Sequence, residues 1–249
     1  MEYEKIIAQR ANKTVYKNGD KTIKVFSKDC SKANIINEVN NQAIIEELGM
    51  KTPKVLEMKI ENDSWVIVSQ YVEGVTLEEM MKGCPDVEDE YLKLFVQLQM
   101  KIHSKTTNRL TRLKDKLNEQ IKKADVPATV RYDFHMRLET VPRHHKVCHG
   151  DFNPSNIIIG NDGELYILDW SHATQGNASG DAAMTYLLFR IEGKDELAEK
   201  YLNLFCEKAG IERTTVESWI PMVAASHSVE CKDEESKQLM IDIAQGIKA

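Results

Sequence analysis

The chain has 249 residues, 42% of them hydrophobic, which is enough to bury a full core as one large domain or two lobes and excludes global disorder. A formal net charge of −6 argues against a nucleic-acid-binding surface, and no apolar run is long enough to span a bilayer. The opening MEYEKIIAQR has no signal-peptide pattern, and the five cysteines (Cys30, Cys84, Cys148, Cys206, Cys231) are odd in number and lack CxxC spacing, so a reducing, cytoplasmic setting with no disulfide framework is expected.

Residues 4–10 read as a first strand. The β-prone runs KTVYK (13–17) and KTIKVF (21–26) flank Asn18-Gly19-Asp20, a hairpin signal that places Lys24 in mid-strand. Over residues 32–48, Ile35, Ile36, Val39, Ala43 and Leu48 fall at helical spacing, with Gly49 as the stop and Glu38 inside the helix. Two more strands, KVLEMKI and SWVIVSQ, flank the turn-rich ENDS. The expectation is an α+β protein whose N-terminal part is an antiparallel five-stranded sheet with one helix. After YVEGVT the pattern becomes mainly helical, so the lobes are set at 1–71 and 72–249.

In the second lobe Val87, Tyr91, Leu94, Phe95, Leu98 and Ile102 mark an amphipathic helix, and residues 109–124 a more charged one that reads as a solvated face. Helices are also expected over 182–192 and 195–209, the latter capped by Gly210. Thr214 and Glu217 have capping-box spacing, and Pro221 should kink or restart the helix that follows. No internal repeat is present.

The informative segment is residues 147–170, VCHGDFNPSNIIIGNDGELYILDW. Two short apolar runs surround a turn containing Asp162 and Gly163, so the hairpin brings Asn156 and Asp169 together at its ends. Asp151 precedes it on a loop stiffened by Pro154. Two of these oxygen-bearing side chains suit a hard cation, and the third remains to accept a proton. Phosphoryl transfer requires that set, with Mg²⁺ held by few protein oxygens and a separate carboxylate orienting the attacking hydroxyl.

H-x-D-x-x-x-x-N followed by an Asp beyond a short hairpin is the protein-kinase signature, here with Gly150 where those enzymes carry Arg. HGDFNPSNI, ILDW in place of Asp-Phe-Gly, and the GDAA that follows resemble the aminoglycoside phosphotransferase and choline kinase family of small-molecule kinases, over residues 13–190. The resemblance implies a bilobal protein-kinase-like fold and transfer of the γ-phosphate of ATP (or GTP) to a hydroxyl of a small molecule. It makes Asp151 the catalytic base or hydroxyl-orienting carboxylate, and Asn156 and Asp169 the Mg²⁺ ligands. Lys24 matches the strand lysine on the nucleotide phosphates and Glu38 its helical partner. Gln70, Tyr71 and Val72 match the linker whose backbone meets the adenine, and Asp181 an acid that braces the catalytic loop. No G-x-G-x-x-G covers the phosphates; RANK (10–13) is the expected nucleotide-positioning loop rather than the hairpin around Asn18 and Gly19.

Other readings stay open. A nucleotide-binding pseudokinase and a protein-directed kinase share the motif, and His144, His145, Cys148 and His149 offer zinc-type ligands for a metal-dependent hydrolase, although strand alternation separates Cys148 from its neighbours. Glu230, Asp233, Glu234 and Glu235 suit either a cleft for a cationic acceptor, such as an aminoglycoside, a choline-like alcohol or an amino sugar, or a solvated loop ahead of the last helix.

Overall fold

The computed structural model describes residues 3–10, 12–83 and 87–247; Ala11 and Cys84 lie outside the described residues. In chain order the first elements are β1 (Lys5–Arg10), β2 (Lys13–Asn18), β3 (Lys21–Phe26), α1 (Lys32–Glu47), β4 (Val55–Glu61), β5 (Ser64–Gln70), β6 (Gly74–Thr76), α2 (Leu77–Gly83) and α3 (Glu88–His103). Next come α4 (Leu113–Ile121), α5 (Ala128–Thr140), β7 (Lys146–Cys148), β8 (Ile157–Gly160), β9 (Leu165–Ile167) and β10 (Thr174–Gly176). The chain ends with α6 (Ala178–Ile191), α7 (Asp195–Ala209), α8 (Arg213–Glu217), α9 (Ile220–His227) and α10 (Glu234–Gln245). It divides into two compact units, Met1–Asp86 with Pro154–His172, and Val87–Asn153 with Ala173–Ala249.

The first unit is built on a five-stranded sheet of order β1-β2-β3-β5-β4, antiparallel throughout. Alternation decides what each face receives. Val66 and Val68 of β5 pack with Ile23 on one face, whereas Ile67 packs with Phe26 and with Ile35 of α1 on the other. Lys24 is paired directly with Ile67, so it is carried on the face that α1 covers. A second sheet, β6-β8-β9, belongs to the same unit. Its β8–β9 hairpin closes through Gly163, at φ 78°, and through Gly160 N–H donating to Glu164 O at 2.8 Å.

The expected α1 forms, but its buried residues are Ile35, Glu38, Asn41, Ile44 and Ile45, while Ile36 is exposed. The face is turned because two polar side chains are pulled inward: Glu38 toward Lys24, and Asn41, whose Nδ2 donates to Trp170 O at 3.2 Å.

The second unit is helical around the β7–β10 ribbon. Its core takes Leu92, Phe95, Val96 and Ile102 of α3, Ala183, Leu187 and Phe189 of α6, and Tyr201, Leu202 and Phe205 of α7. Here too the stripe differs from the apolar one read in the sequence: Val87 is exposed, and Gln99 and His103 are buried in its stead. Gln99 Nε2 donates to Thr185 Oγ1 at 3.0 Å and its Oε1 accepts from Tyr201 Oη at 2.6 Å, which satisfies the buried amide. The charged segment after α3 is helical only over α4. Gly210, at φ 64°, ends α7, and Pro221 stands in the first turn of α9, a restart rather than a kink. The Thr214–Glu217 capping box does not form: the helix begins one residue earlier, at Arg213, which pairs with Glu217 at 2.7 Å.

Candidate active site

In the first unit the β2–β3 register pairs Val15 with Lys24 and Lys13 with Phe26, so Lys13 and Lys24 are diagonal neighbours on the α1 face. Glu38 reaches up from α1 and accepts a hydrogen bond from Lys24 Nζ. The β8–β9 hairpin supplies the fourth charge: Leu168 N–H donates to Asn156 O at 2.8 Å, closing its ends and setting Asp169 next to that junction. Asp169 Oδ2 lies 3.3 Å from Lys13 Nζ, and Oδ1 lies 4.0 Å from Lys24 Nζ. Lys13 Nζ is also 3.8 Å from Glu38 Oε2. Two ammonium groups and two carboxylates therefore form one cluster of zero formal charge.

Burial works against ionisation of Asp169, but the charges of Lys24 and Lys13, with the Ser171 hydroxyl donating to Oδ1 at 2.9 Å, prevail and hold its carboxyl far below the ordinary range. Lys24 is likewise disfavoured as a cation by burial, and Asp169 and Glu38 more than compensate, raising its pKa. Asp169 adopts φ 54°, a left-handed conformation uncommon for a residue with a side chain and found at sites where geometry is imposed.

Asn156 and Asp169 offer one amide and one ionised carboxylate. Among the described residues no three His, Cys, Asp or Glu side chains are grouped to hold a metal. The donors present fit Mg²⁺, which takes one or two protein oxygens and keeps the rest of its shell for water and phosphate.

The linker residues Gln70, Tyr71 and Val72 edge a cavity of about 220 Å³ shared with Asn161, Asp162 and Tyr166. Gln70 N–H donates to Lys54 O and Tyr71 N–H to Asp20 O, both at 2.8 Å. Val72 N–H makes no backbone hydrogen bond among the described residues, and is the linker donor that remains.

Asp151 belongs to the second unit, on the loop after β7, and that loop is fastened on both sides of it. His149 is buried and its Nδ1 accepts the Asp151 N–H at 3.2 Å. Gly150, at φ 79° in the left-handed region that favours glycine, donates its N–H to Asp181 Oδ1 at 2.7 Å. Phe152 is fully buried and stacks on Phe95 with centroids 4.4 Å apart. Asp151, only half-buried, accepts from Asn153 Nδ2 at 3.1 Å.

Asp181 reaches this loop from the first turn of α6, and its Oδ2 accepts from His103 Nε2 at 2.8 Å. Burial opposes its ionisation, but the hydrogen bonds from His103 and Gly150 hold its pKa below the ordinary carboxylate value. Asp181→Ala strands a buried imidazole N–H and a loop amide, so a loss of about 3–5 kcal/mol is expected in denaturant melts at pH 7. A depressed carboxylate stabilises above its unfolded pKa of about 4 and loses that contribution as pH falls through the lower native value, so the gap between variant and wild type should close in acid.

Of the zinc-type residues, Cys148 Sγ faces the carbonyls of Lys146 and Asn177, and burial pushes its thiol well up, away from the thiolate a metal needs. The acidic stretch has local partners. Asp233 caps α10, its Oδ1 accepting from Ser236 N–H at 2.7 Å, and Glu234 and Glu235 stand in that helix's first turn. Glu230 accepts from Gln120 Nε2 at 3.2 Å.

The model of the phosphotransferase enzyme family matches residues 2–216. The chain belongs to that family. No curated protein sequence matches it. Among solved structures, a thermostable mutant of the aminoglycoside phosphotransferase APH(4)-Ia, in a ternary complex with ADP and hygromycin B, superposes with a TM-score of 0.71 at 14% identity, covering 97% of this chain and 92% of that one. The choline kinase LicA from Streptococcus pneumoniae gives 0.65 at 15% identity over 99% and 94% of the two chains. A choline/ethanolamine kinase family protein from Mesorhizobium loti gives 0.62 at 16% over 99% and 88%. The fold is protein-kinase-like, and the chain is a phosphotransferase.

The sequence offers no sign of three residues of the phosphotransferase, Asn153, His103 and Phe152, and it places Lys13 in the RANK loop, whereas Lys13 opens β2 and joins the Glu38–Asp169 cluster. Lys13 was within reach: it stands two positions before Val15, which the Asn-Gly hairpin sets opposite Lys24.

Proposed function

We propose that the protein transfers the γ-phosphate of ATP to a hydroxyl of a small molecule. The observation that carries this reading is the cluster of Lys24, Glu38 and Asp169, an ion-paired lysine beside an ionised carboxylate at the end of the β8–β9 hairpin. Lys24, kept charged and aimed by Glu38, binds phosphate oxygens, and the Val72 amide receives the base. Asn156 and Asp169 would hold Mg²⁺, which when bound neutralises charge on the phosphates. Asp151, held by a loop fixed at His149, Gly150 and Phe152, orients the acceptor hydroxyl and takes its proton. The fixed loop supports that role because a base displaced by even 1 Å loses much of its effect.

The structures solved with ADP and hygromycin B and, for LicA, with AMP support a nucleotide donor and a small-molecule acceptor. ADP release should be measured with ATP or GTP and Mg²⁺ against a panel of aminoglycosides, choline, ethanolamine, amino sugars and neutral sugars. One alcohol is expected to raise the rate well above the background hydrolysis of ATP. Nucleotide binding with no stimulation by any alcohol, together with phosphorylation of a protein substrate, would overturn the small-molecule reading.

A further inference from the structure

A cavity of about 300 Å³ opens in the helical unit, walled by the start of α4, the end of α5, residues 141–145 and the junction of β10 with α6. Its size is that of a small-ligand site. The β7–β10 register, Gly176 with Lys146 and Thr174 with Cys148, puts it at the opposite end of the ribbon from the loop carrying Asp151. Neither Asp151, Asn153 nor Asp181 lines it.

Its basic side chains are Arg112, Lys114, Arg143, His144 and His145, and its acids are Asp115 and Glu139. Lys114 Nζ is 2.9 Å from Glu139 Oε2, which removes that pair from the balance. The side chains of Arg112, Arg143 and His144 have no hydrogen bond or ion pair among the described residues, so two guanidiniums and an imidazole face a single carboxylate. Gln175 is held by its Nε2–H donating to Leu110 O at 2.6 Å, so its Oε1 is the acceptor for His145 Nδ1–H at 2.9 Å. That fixes the imidazole and leaves its Nε2 to a ligand.

The wall beneath these groups is apolar and tightly built. Leu113 and Trp219 are buried there, and a Cβ at Gly176 would stand 2.5 Å from Leu113 Cβ, so only glycine keeps this wall in place. An excess of forked, permanently charged donors above an apolar wall suits a dianion attached to an organic group better than a single carboxylate, which one guanidinium satisfies. We propose that this cavity is a second ligand site, taking a small organic phosphate monoester.

The test is calorimetric titration of the full chain with inorganic phosphate, phenyl phosphate and phenol, at ionic strength matched with chloride. Saturable binding of both anions is expected, severalfold tighter for phenyl phosphate, with none for phenol. In the Arg112→Gln/Arg143→Gln double variant both affinities should fall about tenfold or more, with the affinity for the Mg²⁺ complex of AMP-PNP unchanged. Absence of saturable anion binding, or equal affinity in wild type and variant, would overturn the proposal; the latter would place the anion elsewhere, as on Lys13 and Lys24. Should circular dichroism show the double variant unfolded, Arg143→Gln alone, on an exposed loop residue, carries the same comparison.

Discussion

Asp151→Ala is expected to lower turnover by about 10²- to 10⁴-fold, the usual worth of a positioned acid-base group, while affinity for the nucleotide stays nearly unchanged. The separation follows from where the charges are. Lys13, Lys24, Glu38 and Asp169 are gathered in the sheet unit, whereas Asp151 stands on a loop of the helical unit. Three ties of that loop do not involve the Asp151 carboxylate, the Gly150 N–H on Asp181, the buried His149 and the Phe152–Phe95 stack, whereas the Asn153 Nδ2 hydrogen bond does. The substitution therefore removes an acceptor and the Asn153 hydrogen bond to it, while the ties through Gly150 and Phe152 remain. ADP release at saturating ATP and acceptor, with calorimetry of the Mg²⁺ complex of AMP-PNP on the same preparation, measures both effects. A variant that keeps more than about a tenth of wild-type turnover would remove Asp151 from the proton-accepting role. One that loses nucleotide affinity in parallel would show the loop and the nucleotide site to be coupled.

What the sequence discloses here depends on the range of the interaction. The β2–β3 and β8–β9 hairpins rest on turn chemistry a few residues long, and both stand where the Asn-Gly and Asp-Gly signals put them. The HGDFNPSN loop is equally local. Hydrophobic periodicity, by contrast, turned the faces of α1 and α3, and for the same reason in each. Glu38 and Asn41 on α1, and Gln99 and His103 on α3, are polar side chains on buried faces, each held by a partner distant in sequence. A rule that assigns polar residues to solvent misplaces a helix most where the helix serves the site. His103 and Asp181 are 78 positions apart, and no pattern in either segment announces the other.

Asp169→Asn has an expected effect of opposite sign with and without metal. In the native cluster two lysines face two carboxylates, and the lysine charges keep Asp169 ionised against its burial. Neutralising Asp169 takes away the charged oxygen offered to Mg²⁺, so affinity for ATP in the presence of Mg²⁺ should fall about tenfold or more, and turnover with it. Without Mg²⁺ the same change frees Lys13 and Lys24 from a competing carboxylate. ATP carries its full negative charge under those conditions, so its affinity should rise rather than fall. Lys24→Ala acts differently: it removes a phosphate donor, raises the KM for ATP and lowers turnover, and leaves acceptor affinity nearly unchanged. Its loss should be partial, because Lys13 remains within 3.8 Å of Glu38 and 3.3 Å of Asp169 as a second ammonium in the cluster. Calorimetry with ATP in EDTA and in excess Mg²⁺, on both variants and wild type, separates these effects. If the affinity for the Mg²⁺ complex were untouched by both changes, the nucleotide would bind away from this cluster, and Lys24, Glu38 and Asp169 would be a structural ion-pair network.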